Sequence, residues 1–337
     1  MMVENVETSM FIENMNEEFA VNPSLYKNVG NAIDVPENRV LKFTLKNLDV
    51  SFANSIRRVI LSEIPCIVLD SLDKENVDDQ NITIYNNNSI FNNEIVKQRL
   101  SCIPVCKTDI EDFEYQNYIV ECDVKNNTEE KMIVTTEDFK IKNKISGEYL
   151  DKEDVQKIFK KNPLTNQFID IIQLQPNFND NNFEKLKFEC GFKIGIAKEN
   201  GSYNVASMSV YSNTLDNEEI KKVWEKMEEK LPQNKEEREL AYNDFINLDA
   251  QRITKPNSFD FKVQSIGIYS NYELVILACE VMIQKFEKFI NNLEKDDQLI
   301  KKNNELMENA YNITLNNEDY TFGKVLENMS YLQFYIQ

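Results

Sequence analysis

One sequence unit occurs twice in this chain. The run Phe43-Thr-Leu-Lys-Asn-Leu-Asp-Val-Ser-Phe-Ala-Asn-Ser-Ile56 returns as Ile313-Thr-Leu-Asn-Asn-Glu-Asp-Tyr-Thr-Phe-Gly-Lys-Val-Leu326, at a constant offset of 270 residues. Thr44, Leu45, Asn47, Asp49 and Phe52 match Thr314, Leu315, Asn317, Asp319 and Phe322. Ser51 stands against Thr321, Ala53 against Gly323 and Ile56 against Leu326. Each copy reads as a strand, a polar turn and a capped helix, so the fold has to accommodate one supersecondary unit in two places. Chance likeness of two strand–helix junctions is the alternative; the gapless run favours duplication. Small residues at Ala53 and Gly323 predict close approach of another backbone. The copies differ where the first carries Arg57 and Arg58 and the second Glu327 and Asn328. Adjacent helical side chains point about 100° apart, so one arginine at least can reach a neighbour. The plainer alternative is two solvated charges.

The first copy opens with alternation: Leu41, Phe43 and Leu45 face one way, Lys42, Thr44 and Lys46 the other, as in a half-buried strand. Phe52, Ile56, Val59 and Ile60 then recur at helical spacing. Asp49 or Ser51 can cap that helix, and Pro65 stops it. Ile82 and Ile84 predict a short strand. Phe91, Ile95, Val96 and Leu100 predict a second helix ending before Pro104. Residues 105–212 read mainly as strands. Tyr118, Val120, Cys122 and Val124 alternate, as do Leu186, Phe188, Cys190, Phe192, Ile194 and Ile196, and a short helix fits Lys152–Lys160. Residues 215–247 are highly charged; a solvated helix fits 217–230, broken at Pro232. Phe259, Phe261 and Val263 mark another strand.

The longest helix begins at a capping box, Ser270 with Glu273. Leu274, Ala278, Val281, Met282, Phe286, Phe289, Ile290 and Leu293 give it a long apolar stripe, which requires a covering partner. A core helix and a dimerisation helix both satisfy the pattern. Residues 1–35 are polar and weakly patterned, and read as an extended arm.

Composition narrows the chemistry. The chain has 337 residues, 42% hydrophobic and 28% charged, which suits one to three globular domains. No histidine is present, which removes Ser-His-Asp and Cys-His catalysis, histidine bases and histidine-containing zinc sites. Seven glycines form no phosphate-cradling loop. A formal net charge of −19 opposes broad contact with a phosphate backbone, so DNA or RNA would be met only indirectly. The six cysteines contain no Cys-x-x-Cys. Cys102 and Cys106 are separated by Pro104, which argues against a shared helical face, and free thiols in a reducing compartment are expected. Leu274–Ile283 is the longest apolar stretch and is too short to span a bilayer. The N-terminus lacks the apolar core of a signal peptide.

Three ordered segments carry a family resemblance. Val50-Ser-Phe-Ala-Asn-Ser-Ile-Arg-Arg-Val-Ile-Leu-Ser-Glu-Ile-Pro65 resembles the signature of the alpha-like RNA polymerase subunits: bacterial alpha, its archaeal counterpart and the third-largest subunit of eukaryotic RNA polymerase II. Asn92-Asn-Glu-Ile-Val-Lys-Gln-Arg-Leu-Ser-Cys-Ile-Pro104 is similar to the family's second helix. Phe259-Asp-Phe-Lys-Val-Gln-Ser-Ile-Gly267, with the helix after it, is similar to the family's strand and dimerisation helix. Gly191–Asn200 resembles a loop of the larger member. The late repeat, Asn317–Gly323, resembles the start of the smaller alpha-like subunit, so the chain looks like a tandem fusion of the two, a form familiar from large DNA viruses of eukaryotes. The smaller-unit part stops at Gln337, one helix in.

The resemblance implies an α+β fold. A discontinuous dimerisation domain is expected over 36–65 and 211–310, with a mostly β domain, 66–210, inserted in it. Residues 311–337 then supply the first strand and helix of a second alpha-like unit. The implied function is non-catalytic scaffolding in a DNA-directed RNA polymerase, docking the second-largest and then the largest subunit, with small polymerase subunits and the smaller alpha-like unit as further partners. Arg57, Arg58, Asn54 and Arg99 are the expected partner contacts. Phe52, Ile56, Leu274, Ala278, Val281, Phe286, Phe322 and Leu326 are the expected dimerisation core. Cysteine spacing differs from the clusters some family members carry, so neither metal nor other cofactor is expected. An intracellular location follows: nucleus, or host cytoplasm and virion if the source is viral. The charge alone supports a different reading, a stand-alone acidic chaperone of basic partners.

Overall fold

Cross-strand apolar pairs organise the first of two cores. Strand β2 (Arg39–Lys46) lies antiparallel to the much later β11 (Thr254–Ser265), setting Leu41 opposite Val263, Phe43 opposite Phe261 and Leu45 opposite Phe259. All six are buried, and the Phe43 and Phe261 rings stack at 5.0 Å. The other face is polar: Thr44 and Thr214 both donate to the Asp260 carboxylate, at 2.7 and 2.9 Å. The sheet is completed by β10 (Ala206–Leu215) beyond β11 and by β1 (Glu13–Phe19) beyond β2. We describe a computed structural model covering residues 13–19, 39–70, 82–106, 114–162, 165–176, 183–231, 234–295, 299–303, 310–315 and 317–335. Within the expected N-terminal arm, 13–19 therefore form an edge strand; the rest of it lies outside the described residues.

Helix α1 (Val50–Ser62) packs on this sheet through Ala53, Ile56, Val59 and Ile60. Asp49 caps it, accepting from the Ser51 N–H at 2.8 Å. Helix α6 (Asn271–Lys295) is set by the capping box: Ser270 N–H donates to Glu273, and Glu273 N–H to the Ser270 hydroxyl. It buries Leu274, Ala278 and Met282 in the same core.

A second core lies over β3 (Cys66–Asp70), β4 (Thr83–Asn87), β5 (Tyr118–Lys125), β7 (Lys140–Asn143) and β9 (Lys185–Gly195). β9 pairs with β5 on one edge and with β3 and β4 on the other. Leu186, Phe188 and Cys190 face Val124, Cys122 and Val120 across the ladder. The alternation ends early: Ile194 is exposed and Ile196 falls beyond the strand. Helices α2 (Asn93–Ser101) and α3 (Lys152–Ile158) cover this core, beside the β6 (Met132–Thr135) and β8 (Asp170–Leu174) pair.

Strand β3 serves both cores. Cys66 and Val68 point into the first, Ile67 and Leu69 into the second, as the two-residue period of a strand dictates. Close packing continues at its neighbour. A Cβ on Gly195 would come within 2.6 Å of the Tyr203 ring, so only glycine fits there.

A satellite cluster of Ile220, Phe245 and Ala250 joins α4 (Asn217–Glu228) to α5 (Lys235–Asn247). The expected solvated helix is α4, but Trp224 on it packs edge-on to Tyr242 and beside Phe245 of α5. Helix α5 was not anticipated from the sequence. The chain then forms the hairpin β12 (Ile300–Asn303) and β13 (Ala310–Ile313) and ends in α7 (Tyr320–Phe334).

Candidate functional site

The two copies of the repeat meet here. Asn47 and Asn317 both take left-handed backbone, φ 61° and 62°, which asparagine tolerates better than most residues. Asp319 caps α7 by accepting from the Thr321 N–H at 2.8 Å, as Asp49 does for α1. The strands differ in setting: Phe43 is buried in the four-stranded sheet, while Ile313 on the hairpin is exposed. The expected close backbone approach at Gly323 is corrected. An added Cβ would meet only the Leu315 side chain at 3.9 Å, an ordinary contact, and Ala53 is instead fully buried core.

Helices α1 and α7 run antiparallel in contact, and α6 lies against α1. Phe322 and Val325 of α7 are buried in the first core, and the Phe322 ring sits 4.6 Å from Phe286 and 5.7 Å from Phe289 of α6. Phe52, Ile56, Leu274, Ala278, Val281, Phe286, Phe322 and Leu326 thus fall in one cluster. The stripe of α6 is only partly covered. Ile290, expected inside it, is exposed, and so are Ile276 and Ile283, giving an uncovered ridge at seven-residue spacing.

Charges fasten the three helices. Glu63, the C-cap of α1, is 8% exposed, and Lys285 of α6 closes an ion pair on it. Lys285 also donates to Glu318, just ahead of α7, at 2.8 Å. Burial pulls the Lys285 ammonium down, but its bonds to Glu318 and Glu63 outweigh this and raise it above the ordinary lysine value. Arg58 donates to Asp319 at 2.8 Å. Burial pushes the carboxyls of Asp49 and Asp319 up, yet both lie below the usual carboxylate value. Hydrogen bonds from Ser51 and Val50 do this at Asp49; at Asp319 those from Thr321 do it, with the charges of Arg58 and Lys198 adding.

The expected partner contacts divide. Arg57 donates to the Asn54 side chain within α1, at 2.9 Å, whereas Arg58 is engaged with α7. Arg99 is not with them: it lies on α2 over the second core, donating to the Asp170 carbonyl at 3.0 Å beside the Phe91 ring. Sequence reading missed Lys285, Glu63 and Glu318, whose partners are far apart in the chain. Asp319 was legible as a cap, through its match to Asp49.

Cys102 is the C-cap of α2 and Cys106 lies past Pro104, so the two share no helical face. Burial pushes the Cys66 and Cys122 thiols up to about 12, so neither offers a thiolate near neutral pH.

Residues 42–286, which span the second core, most of the first core and most of α6, match the RNA polymerase Rpb3/Rpb11 dimerisation domain. The chain belongs to that family. Its α+β fold, with α1 and α6 on an antiparallel sheet, is the fold of an Rpb3/Rpb11 dimerisation-domain protein. Similar proteins include the DNA-directed RNA polymerase subunit Rpo3 of Pyrococcus furiosus, 26% identical over 76% of this chain and 93% of that protein. The subunit 3B of DNA-directed RNA polymerases IV and V of Arabidopsis thaliana is 25% identical over 76% of this chain and 90% of its own length. A conjugation stage-specific protein of Tetrahymena thermophila is 29% identical over 51% of this chain, which spans 55% of that relative. Among the described residues, no helix is long and apolar enough to cross a membrane.

Proposed function

We propose that the chain is a non-catalytic assembly subunit of a DNA-directed RNA polymerase. The observation that carries this is the family match over 42–286, which includes α1 and most of α6 of the first core. The polymerase relatives it resembles over nine-tenths of their length support the same reading. In it, 36–65 and 211–310 form the dimerisation domain, 66–210 the inserted domain, although β10 already joins the first sheet at Ala206, and 311–337 the start of a smaller alpha-like unit held in cis. The uncovered ridge of α6 at Ile276, Ile283 and Ile290 receives further alpha-like structure. The two large catalytic subunits and small polymerase subunits are the partners, and nucleic acid is met only through them. A tandem arrangement of this kind fits a viral source, with action in host cytoplasm and virion.

Arg57 and Arg58, with Asn54, face the second-largest subunit in this proposal, and Arg99 offers a separate contact from α2. Because Arg58 also holds Asp319, Arg57→Ala is the cleaner probe. Purification of the tagged chain from its native source, with mass spectrometry, tests the whole reading. Stoichiometric recovery of two very large polymerase subunits is expected. Recovery of assorted basic proteins without them would instead support the acidic-chaperone reading that the net charge of −19 favours. Arg57→Ala should weaken capture of the second-largest subunit, and undiminished capture would remove Arg57 from the interface.

A further inference from the structure

The antiparallel packing of α1 on α7 relates the two copies by an approximate two-fold. A contact between a residue of the first copy and one of the second then has a mate with the roles exchanged. Arg58 reaches Asp319, the counterpart of Asp49. The mate would join Asp49 to the counterpart of Arg58, which is Asn328. Asparagine is too short and uncharged, and that ion pair is not made.

In its place is an open groove of about 520 Å³, lined by Asp49, Tyr211, Tyr320, Glu327, Asn328 and Tyr331 among others. Thr321, which also lines it, is 4% exposed. Ser51, its counterpart, lines it too, and the Asn328 Oδ1 is a buried acceptor with no donor. Every charge at the groove can be named. Asp49 meets no described cation, Glu327 is held by Lys324 at 2.6 Å, and the sum is one negative charge. An anion would meet Asp49. A purely apolar group would cover the Asp49 carboxylate without pairing it, which costs more than a weak contact returns. A guanidinium fits these demands: planar donors and opposite charge for Asp49, and flat faces for the tyrosine rings.

We propose that this groove receives an arginine side chain from a partner polypeptide, completing the ion pair that only one half of the two-fold makes. This goes beyond the assembly role, since it needs the repeat and the groove but no particular partner. The charge complementarity is with a basic segment, which an acidic chain attracts.

The test uses the full chain and a minimal probe. Nα-acetyl-arginine amide is titrated into isotope-labelled protein, with Nα-acetyl-citrulline amide as the uncharged isostere, and resonances of Ser51, Thr321 and the Asn328 side-chain amide are followed. Saturable shifts are expected with the arginine probe and at least about tenfold weaker response to citrulline, the loss of one charge-assisted bond. Asn328→Arg should seat its own guanidinium on Asp49, abolish the shifts and leave the thermal midpoint unchanged or higher. Asp49→Asn keeps the helix cap, removes the charge, and should weaken binding about as much as citrulline does. Equal response to both probes, no response at all, or shifts that persist in both variants would overturn the proposal. A self-dimer dissolved by Asn328→Arg would make the occupant a second copy and overturn the partner assignment.

Discussion

Lys285 closes an ion pair on Glu63 at the carboxyl end of α1, where the backbone carbonyls already make negative charge unfavourable. The lysine is what makes that buried carboxylate tolerable. Lys285→Met should cost about 3 kcal/mol, the lower end for breaking a buried pair, because the lysine side chain keeps 16% of its surface exposed. Glu63→Gln in the same chain should return much of the loss. Denaturant unfolding of the two single variants and the double variant reads both. The raised lysine also sets a pH window. Its stabilisation is complete below the unfolded lysine value of about 10.4 and is lost as pH rises through the higher folded value. The alkaline fall in stability should therefore shrink in Lys285→Met.

The two cap aspartates respond to acid instead. Both are depressed in the folded chain, so their contribution is present above the unfolded value of about 3.9 and lost as pH falls through the folded ones. Asp319→Ala should lose about 1 kcal/mol of cap energy. Asp319→Asn keeps the cap and should lose only a few tenths, since Arg58 and Asp319 are 46% and 35% exposed. Thermal melts between acid and neutral pH distinguish the two, and the acid dependence should flatten in both.

Gly195 and Gly201 give a paired test of packing. Gly195→Ala forces a Cβ into the Tyr203 ring and should destabilise by about 1–3 kcal/mol. At Gly201 nothing lies within 4 Å of an added Cβ, so Gly201→Ala should fall within about 0.5 kcal/mol of the parent. Equal losses would mean that the contact with Tyr203 is not the cause.

The α6 ridge separates folding from assembly. Ile276 and Ile283 are each 56% exposed, so glutamate at either should leave unfolding free energy within about 0.5 kcal/mol. Polymerase-subunit recovery should nevertheless drop sharply. Ala278→Glu, placed in the core, should fail to fold. Full recovery with both ridge variants would place the assembly surface elsewhere.

What could be read from the sequence was what is local. Asp49, the four-residue spacing from Phe52 to Ile60, and Ser270 with Glu273 each act within a turn or two, and they set α1 and α6. Helix α5 escaped because it buries Phe245 alone, while Leu240 and Tyr242 are exposed and its first turns are charged, so it has no apolar stripe to detect. Strand β1 escaped because an edge strand needs backbone pairing more than apolar alternation. The site was legible as two matched junctions, not as a contact between them. Arg58 and Asp319 lie 261 residues apart, and nothing in either neighbourhood names the other.

Strand β3 has four consecutive side chains divided between the two cores, two to each. There is no linker at that crossing for the lobes to swing about. Any displacement of β9 has to pass through β3, whose Cys66 and Val68 side chains pack in the core beneath α1. The two lobes are built like a bracket with one shared rib, so a partner gripping one arm is expected to constrain the angle of the other.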